Sequence, residues 1–237
     1  MATSHKLIFP DTPSLVAALS SEFARLLTDF VRQHPTRQFH LAISGGRTPK
    51  ALFEVWAKDF RHLPWHQVAI WWVDERGVPP TDAQSNYKMA FEAVIGPLGI
   101  AEENVYRMEG ELPAAEAAER YEALIFSRIG HQPVFNLVML GMGDDGHTAS
   151  LFPHEPHLLP SSQWVMAATH PGGQPRITLT LRTLAQAEAV WWMVTGADKA
   201  EKVKAVWSDP ASDLPAAQVH RRTPGSVWWL DEAAAGA

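Results

Sequence analysis

Apolar residues recur at helical spacing through Leu15, Leu19, Phe23, Leu26, Leu27, Phe30 and Val31, directly behind Asp11-Thr12-Pro13-Ser14. That cluster is a helix-start signal, and the spacing predicts a long amphipathic helix. The pattern then shortens. Residues 38–44 read as a strand running into Gly45-Gly46, after which Thr48 and Pro49 open a second helix, Thr48 as N-cap and Pro49 in its first turn. Residues 68–73 are β-branched and aromatic, a buried-strand pattern, and end in Asp74-Glu75-Arg76-Gly77. Helices are predicted over 85–94 and 114–129. The near-continuous apolar run 134–140 suggests a strand buried on both faces. Further strands are read at 164–168, 189–194 and 226–230, with a helix over 198–207 and a loose Ala-rich tail at 233–237.

Strands alternating with helices predict an α/β fold with a mostly parallel, helix-flanked sheet. No linker, internal repeat or low-complexity tract interrupts the pattern, so a single domain over 1–237 is expected. The tryptophan pairs Trp71-Trp72, Trp191-Trp192 and Trp228-Trp229 resemble a stacking box for a sugar or cofactor. Successive strand residues face opposite sides, however, so core packing on both faces of the sheet is the expected role.

Composition narrows the function. Twenty Lys plus Arg against 26 Asp plus Glu leave a formal charge of -6, with no basic excess for nucleic acid. A few cations in a cleft still suffice for an anionic small molecule. The absence of cysteine excludes disulfides, thiolate catalysis, zinc–thiolate sites and iron–sulfur clusters. The first ten residues lack a signal-peptide pattern and no apolar run reaches membrane-span length, which predicts a cytoplasmic protein without membrane contact.

In open α/β sheets ligands bind beyond the carboxyl ends of strands, which directs attention to four loops. Ser44-Gly45-Gly46-Arg47-Thr48 joins a strand to a helix start, where backbone N–H groups and the helix dipole favour an anion. Asp74, Glu75 and Arg76 end a buried strand, where charges must pair or face a cleft. Arg76 is a candidate for substrate oxygens, and Asp74 for holding Arg76 or a sugar hydroxyl. Arg176 and Lys199 each offer one cation near a strand end. The most informative loop is 141–150, whose three glycines shape a tight turn presenting His147, with Asp145 two residues earlier. Histidine titrates near neutrality and can move a proton, while a neighbouring carboxylate orients the ring. His154-Glu155-Pro156-His157 departs from the His-Glu-x-x-His pattern, so no metal site is expected.

Taken together, Ser44-Gly45-Gly46-x-Thr48-Pro49, Trp72-Val73-Asp74-Glu75-Arg76, Ser85-Asn86-Tyr87, the Gly141–Pro153 run containing Asp145-Gly146-His147, Arg176-Ile177-Thr178 and Gly196-x-Asp198-Lys199 resemble the 6-phosphogluconolactonase family. The resemblance implies a modified Rossmann-like fold and hydrolysis of a phosphorylated sugar lactone in the oxidative pentose phosphate pathway, without metal or organic cofactor. It also implies His147 as base with Asp145 orienting it. Gly45, Gly46, Thr48, Arg176 and Lys199 would hold the phosphate, and Arg76 with loop N–H groups the oxyanion. Asp144 stands where the family usually has proline, which adds a negative charge to the loop.

Two rival readings accompany this one. Glucosamine-6-phosphate deaminases and isomerases resemble the chain at several loops, but continue past the His into an Asn-Glu-Pro segment whose Glu supports it. Here Phe152 takes that Glu position. A non-catalytic sugar-phosphate sensor normally carries a DNA-binding module, and no helix-turn-helix extension with a basic face is evident.

Overall fold

The computed structural model describes residues 3–237; Met1 and Ala2, which begin the N-terminal stretch and the one-domain span read above, lie outside the described residues. The chain forms β1 (His5–Phe9), α1 (Thr12–Gln33), β2 (Phe39–Ile43), α2 (Arg47–Asp59), β3 (Val68–Trp72) and β4 (Asp74–Arg76). Then come α3 (Asn86–Ala90), a π-type turn (Phe91–Ile95), α4 (Gly96–Leu98), β5 (Val105–Tyr106), α5 (Ala114–Arg128) and β6 (Leu137–Leu140). The remainder comprises β7 (Val165–Thr169), β8 (Pro175–Leu179), α6 (Leu181–Leu184), β9 (Val190–Val194), α7 (Ala200–Ser208), α8 (Pro215–Arg222), β10 (Val227–Asp231) and α9 (Glu232–Ala235).

Seven strands build one parallel sheet in the order β1-β10-β9-β6-β2-β3-β5, and β4-β8-β7 form a small antiparallel sheet. Every residue of β3, β6 and β9 is buried, as expected of strands covered on both faces. The parallel, helix-flanked α/β sheet matches the expectation from the alternating pattern. The tryptophan pairs are core: Trp192 stacks on Trp228 at 4.4 Å, Trp71 on Tyr106 at 4.2 Å, and all six side chains are buried. At about 25 cal/mol per Å2, one such indole burying roughly 200 Å2 contributes about 5 kcal/mol of transfer free energy. Among the described residues no helix is long and apolar enough to cross a membrane.

Three local readings change. Thr48 is not the N-cap of α2; Gly46 is, at φ 110°, a backbone conformation that favours glycine, so the helix starts two residues earlier. Asp74–Arg76 is not a loop after β3 but a strand of its own, because β8 lies beside it in register, Asp74 opposite Thr178 and Arg76 opposite Arg176. The tail is not loose: Asp231 accepts the Ala234 N–H at 2.8 Å, capping α9, and Ala234 is fully buried.

Val73 links the two sheets. Its N–H donates to Ile43 O at 2.9 Å in the parallel sheet, and its carbonyl accepts the Leu179 N–H at 2.8 Å from the antiparallel one. The chain therefore turns out of the large sheet at the carboxyl end of β3.

Candidate active site

The loops following β2, β3, β6 and β9 converge at the carboxyl ends of the parallel strands. Two adjoining cavities lie there, of about 500 and 160 Å3, with Gly45, Gly141 and Met142 in the walls of both.

The smaller cavity holds His147. Its loop is pinned by its own backbone: Gly143 N–H donates to His147 O at 2.9 Å, and the Thr148 hydroxyl donates to Gly141 O at 2.8 Å. From outside, Ala216 N–H at the start of α8 donates to Gly146 O at 3.1 Å, and Leu214 packs against Gly146. Gly143 lies so close to the imidazole that a Cβ there would sit 2.1 Å from His147 Nδ1. Asp145 Oδ1 meets His147 Nδ1 at 2.6 Å and accepts the His147 backbone N–H at 2.9 Å. Burial would raise the Asp145 carboxyl, but these hydrogen bonds outweigh it and hold it at about 2. An ionised Asp145 only accepts, so in the neutral ring Nδ1 carries the proton and Nε2 the lone pair. The His147 side chain retains 30% exposure, enough for a reactant to reach it. Buried Phe152 packs on its ring at 4.9 Å between centroids and offers it no acceptor.

Across the cavity stand Asp74, Arg76 and Asn86. Asp74 is buried and its Oδ2 accepts the Ser150 hydroxyl at 2.8 Å. The Asn86 side-chain amide donates to Asp74 O at 3.0 Å. Arg76 donates Nη1 to Gln84 O, while its Nε–H is buried with no acceptor among the described residues. Glu75 points away from the cavity. Its carboxylate accepts the N–H groups of Arg76, Asn86 and Tyr87 at 2.8 Å each and the Ser85 hydroxyl at 3.1 Å, fastening β4 to the start of α3. Burial pushes its carboxyl up, against the pull of those three N–H groups.

The larger cavity is lined by helix starts and two cations. The first turns of α1 and α2 reach it through Thr12, Arg47 and Thr48, and the turn leading into α7 through Gly196 and Lys199. Helix N-termini carry partial positive charge, and Arg47 and Lys199 add two full charges. Thr48 Oγ1 lies 2.8 Å from Thr195 Oγ1, tying the two loops together. Asp231 props the Gly196 turn by accepting its N–H at 3.0 and 3.1 Å. Lys199 also pairs with Asp198 at 2.9 Å.

Of the residues singled out from sequence, Ser44, Gly45, Asp74, Arg76 and His147 share the smaller cavity, while Gly45, Gly46, Thr48 and Lys199 share the larger. Asp145 joins them through His147. Arg176 lines neither cavity: it is buried in β8, opposite Arg76, and donates to the Gln174 side chain. Burial and the neighbouring Arg76 charge lower its affinity for a proton. Asp144 is exposed and also lines neither. Sequence reasoning missed Arg47, Thr12, Thr195, Ser150 and Asp231. Arg47 sits within the glycine turn already suspected of anion binding, and that position was its only signal.

A family model described as glucosamine-6-phosphate isomerases/6-phosphogluconolactonase matches residues 10–229. The chain is 41% identical to the 6-phosphogluconolactonase of Treponema pallidum over 216 residues, covering 89% of this chain and 87% of that one. It is 34% identical to that of Haemophilus influenzae over 230 residues, covering 95% and 96%. The solved 6-phosphogluconolactonase from Trypanosoma cruzi shares the fold at a TM-score of 0.89 and 25% identity, covering 100% of this chain and 97% of that one.

Proposed function

The chain belongs to the family of glucosamine-6-phosphate isomerases and 6-phosphogluconolactonases, and within it we propose that it is a lactone hydrolase with His147 as its base. The reaction is hydrolysis of 6-phospho-D-glucono-1,5-lactone to 6-phosphogluconate, the ring-opening step of the oxidative pentose phosphate pathway. The observation that carries the mechanism is the 2.6 Å His147–Asp145 pair in a small cavity that adjoins a larger one lined by Arg47 and Lys199.

The phosphate occupies the larger cavity, held by Lys199, Arg47, Thr48 and the N–H groups of the Gly45-Gly46 turn. Anchoring a remote dianion fixes the lactone carbonyl over His147 and converts binding into orientation. Nε2 takes a proton from water as the water oxygen attacks the carbonyl carbon. The developing oxyanion faces the guanidinium of Arg76, which lines the smaller cavity, and loop N–H groups. As the bond from the carbonyl carbon to the ring oxygen breaks, the imidazolium returns its proton to that oxygen, which leaves as a hydroxyl. The new carboxylic acid loses its proton to solvent. Asp145 holds the ring's orientation and stabilises its charged form, while Asp74 accepts a sugar hydroxyl. Each step uses water and the chain's own groups. Phosphorylated sugars do not cross membranes unaided, which supports a cytoplasmic site of action.

Phe152 favours this reading over an isomerase or deaminase, because it packs an apolar ring on the imidazole where those enzymes carry a Glu. The test follows acid release from freshly generated lactone, with the spontaneous rate subtracted. His147→Ala is expected to lower kcat by about 10²–10⁴, the usual worth of a general base. Undiminished turnover at saturating lactone refutes the assignment.

A further inference from the structure

On the lactonase reading, Asp74 contacts the sugar, and its orientation is set by a chain of hydrogen bonds that crosses from β8 to β4. The Thr178 hydroxyl donates to Leu179 O at 2.9 Å. With its proton committed there, Thr178 Oγ1 accepts, and it receives the Ser150 N–H at 3.1 Å. The Ser150 hydroxyl faces Asp74 Oδ2 at 2.8 Å. A carboxylate only accepts, so the serine donates and the polarity of the whole chain is fixed. Thr178 and Ser150 are 0% and 1% exposed, so water does not compete for these groups. Asp74 is held on its main-chain side by Asn86. Its Oδ1 has no donor among the described residues, and the residue lines the smaller cavity.

We infer that Ser150 is a positioning residue for substrate recognition: its hydroxyl occupies one oxygen of Asp74 and turns the other toward a hydroxyl of the lactone ring. Ser150 lies three residues after His147 on the same loop. The segment that carries the base therefore also sets the carboxylate that reads the sugar, and the two move as a unit. Without the serine hydroxyl, Asp74 is free to rotate toward the guanidinium groups of Arg76 and Arg176, whose charges surround it together with Glu75 and His147. Ser150 touches no reacting atom, so its loss acts on binding and hardly on chemistry.

The experiment compares the full-length chain with Ser150→Ala, Ser150→Thr, Asp74→Asn and the Ser150→Ala/Asp74→Asn double variant. Steady-state lactone hydrolysis is measured beside calorimetric binding of 6-phosphogluconate and, separately, of inorganic phosphate. Ser150→Ala is expected to raise KM and weaken 6-phosphogluconate binding about tenfold, the worth of one hydrogen bond to a charged group, with kcat within about threefold. Phosphate binding stays unchanged, because the anion cradle does not include Ser150. Ser150→Thr keeps the hydroxyl and restores binding. In the Asp74→Asn background, Ser150→Ala adds nothing, since the two residues act through one contact. Additive losses in that cycle overturn the proposal, as does a parallel loss of phosphate binding or a fall in kcat matching the rise in KM. An added methyl at a site this buried can disturb packing, so the cycle decides if Ser150→Thr melts early. A wild-type protein that turns over no lactone fails the lactonase reading instead, and the 6-phosphogluconate binding cycle still tests the coupling of Ser150 to Asp74.

Discussion

Glu75 offers a sharp test of how the site is held. Its Oε1 accepts the Arg76 and Asn86 N–H groups and its Oε2 accepts the Tyr87 N–H and the Ser85 hydroxyl. Glutamine keeps the shape but has one acceptor oxygen. That oxygen serves Arg76 and Asn86, whose N–H groups cannot turn, and leaves the amide NH2 facing Tyr87 and Ser85. The Tyr87 N–H is then orphaned, at about 1–3 kcal/mol. Part of this is returned because burial already disfavours the Glu75 charge. The net loss for Glu75→Gln is therefore about 1–2 kcal/mol. Glu75→Ala orphans three N–H groups and a hydroxyl, and about 1 kcal/mol or more for each gives about 4 kcal/mol. For a domain of this size the melting temperature falls roughly 2–4 °C per kcal/mol, so the two variants separate by about 5–10 °C. Urea unfolding followed by tryptophan fluorescence measures both, with ten indoles to report the transition. Equal losses for the two variants, or none for either, refute the donor-counting argument.

Other consequences are equally direct. Gly143→Ala places a methyl against the imidazole and is expected to displace it, lowering kcat about 100-fold while circular dichroism and melting stay near wild type. Lys199→Ala raises KM for the lactone about tenfold with little change in kcat, whereas Arg176→Ala, removed from both cavities, lowers stability and leaves KM nearly unchanged; equal KM effects would return Arg176 to the phosphate site. Burial first, then the Arg37 charge, lowers the His40 imidazole from 6.5 to about 4, with Nδ1 accepting the Trp71 indole N–H at 3.2 Å. The unfolded chain then binds the proton more readily than the folded one, so stability is full above pH 6.5 and declines as pH falls toward 4, by about 3 kcal/mol in all. His40→Gln should flatten that decline in urea titrations at pH 4–7, and an unchanged slope removes His40 as its source.

Much of the fold was readable because burial leaves a local trace. The helix from Thr12 to Gln33 follows from its apolar spacing and the Asp11 cap, and β3 and β6 from continuous apolar runs. What was not readable depends on partners distant in sequence. His5–Phe9 becomes a strand only because β10, more than 200 residues away, lies beside it. Asp74–Arg76 reads as a charged loop at the end of β3 until β8 pairs with it and Glu75 finds its donors on α3. The site divides in the same way. His147 and Asp145 are two residues apart and were legible, and so was the glycine turn. Arg47 was passed over because no local pattern distinguishes a surface arginine from one lining a cleft. Arg176 looked equivalent to Lys199, and only its burial behind Arg76 separates them.

The position of the cleft follows from strand order. From β2 the chain continues to β3 and then β5, on one side; it returns to β6 on the other side of β2 and proceeds outward to β9 and β10. The direction of winding reverses between β2 and β6, so the loops leaving their carboxyl ends diverge and open a crevice. One of those loops carries Gly45 to Thr48, and the other carries Asp145 and His147. Ser44 Oγ donates to Met139 O at 2.8 Å, stitching the two strands where the crevice begins. The third wall comes from Val73, which turns β4 out of the parallel sheet and brings Asp74 and Arg76 over the gap. Had one further strand stood between β2 and β6, His147 would lie about 4.8 Å farther from the cavity lined by Arg47 and Lys199. A catalytic group must hold its reactant within about 3–3.5 Å, so on the proposed mechanism a phosphate-anchored lactone would then fall out of reach of His147. On that mechanism, adjacency of β2 and β6 is the condition that lets loops separated by about a hundred residues act on one small ring.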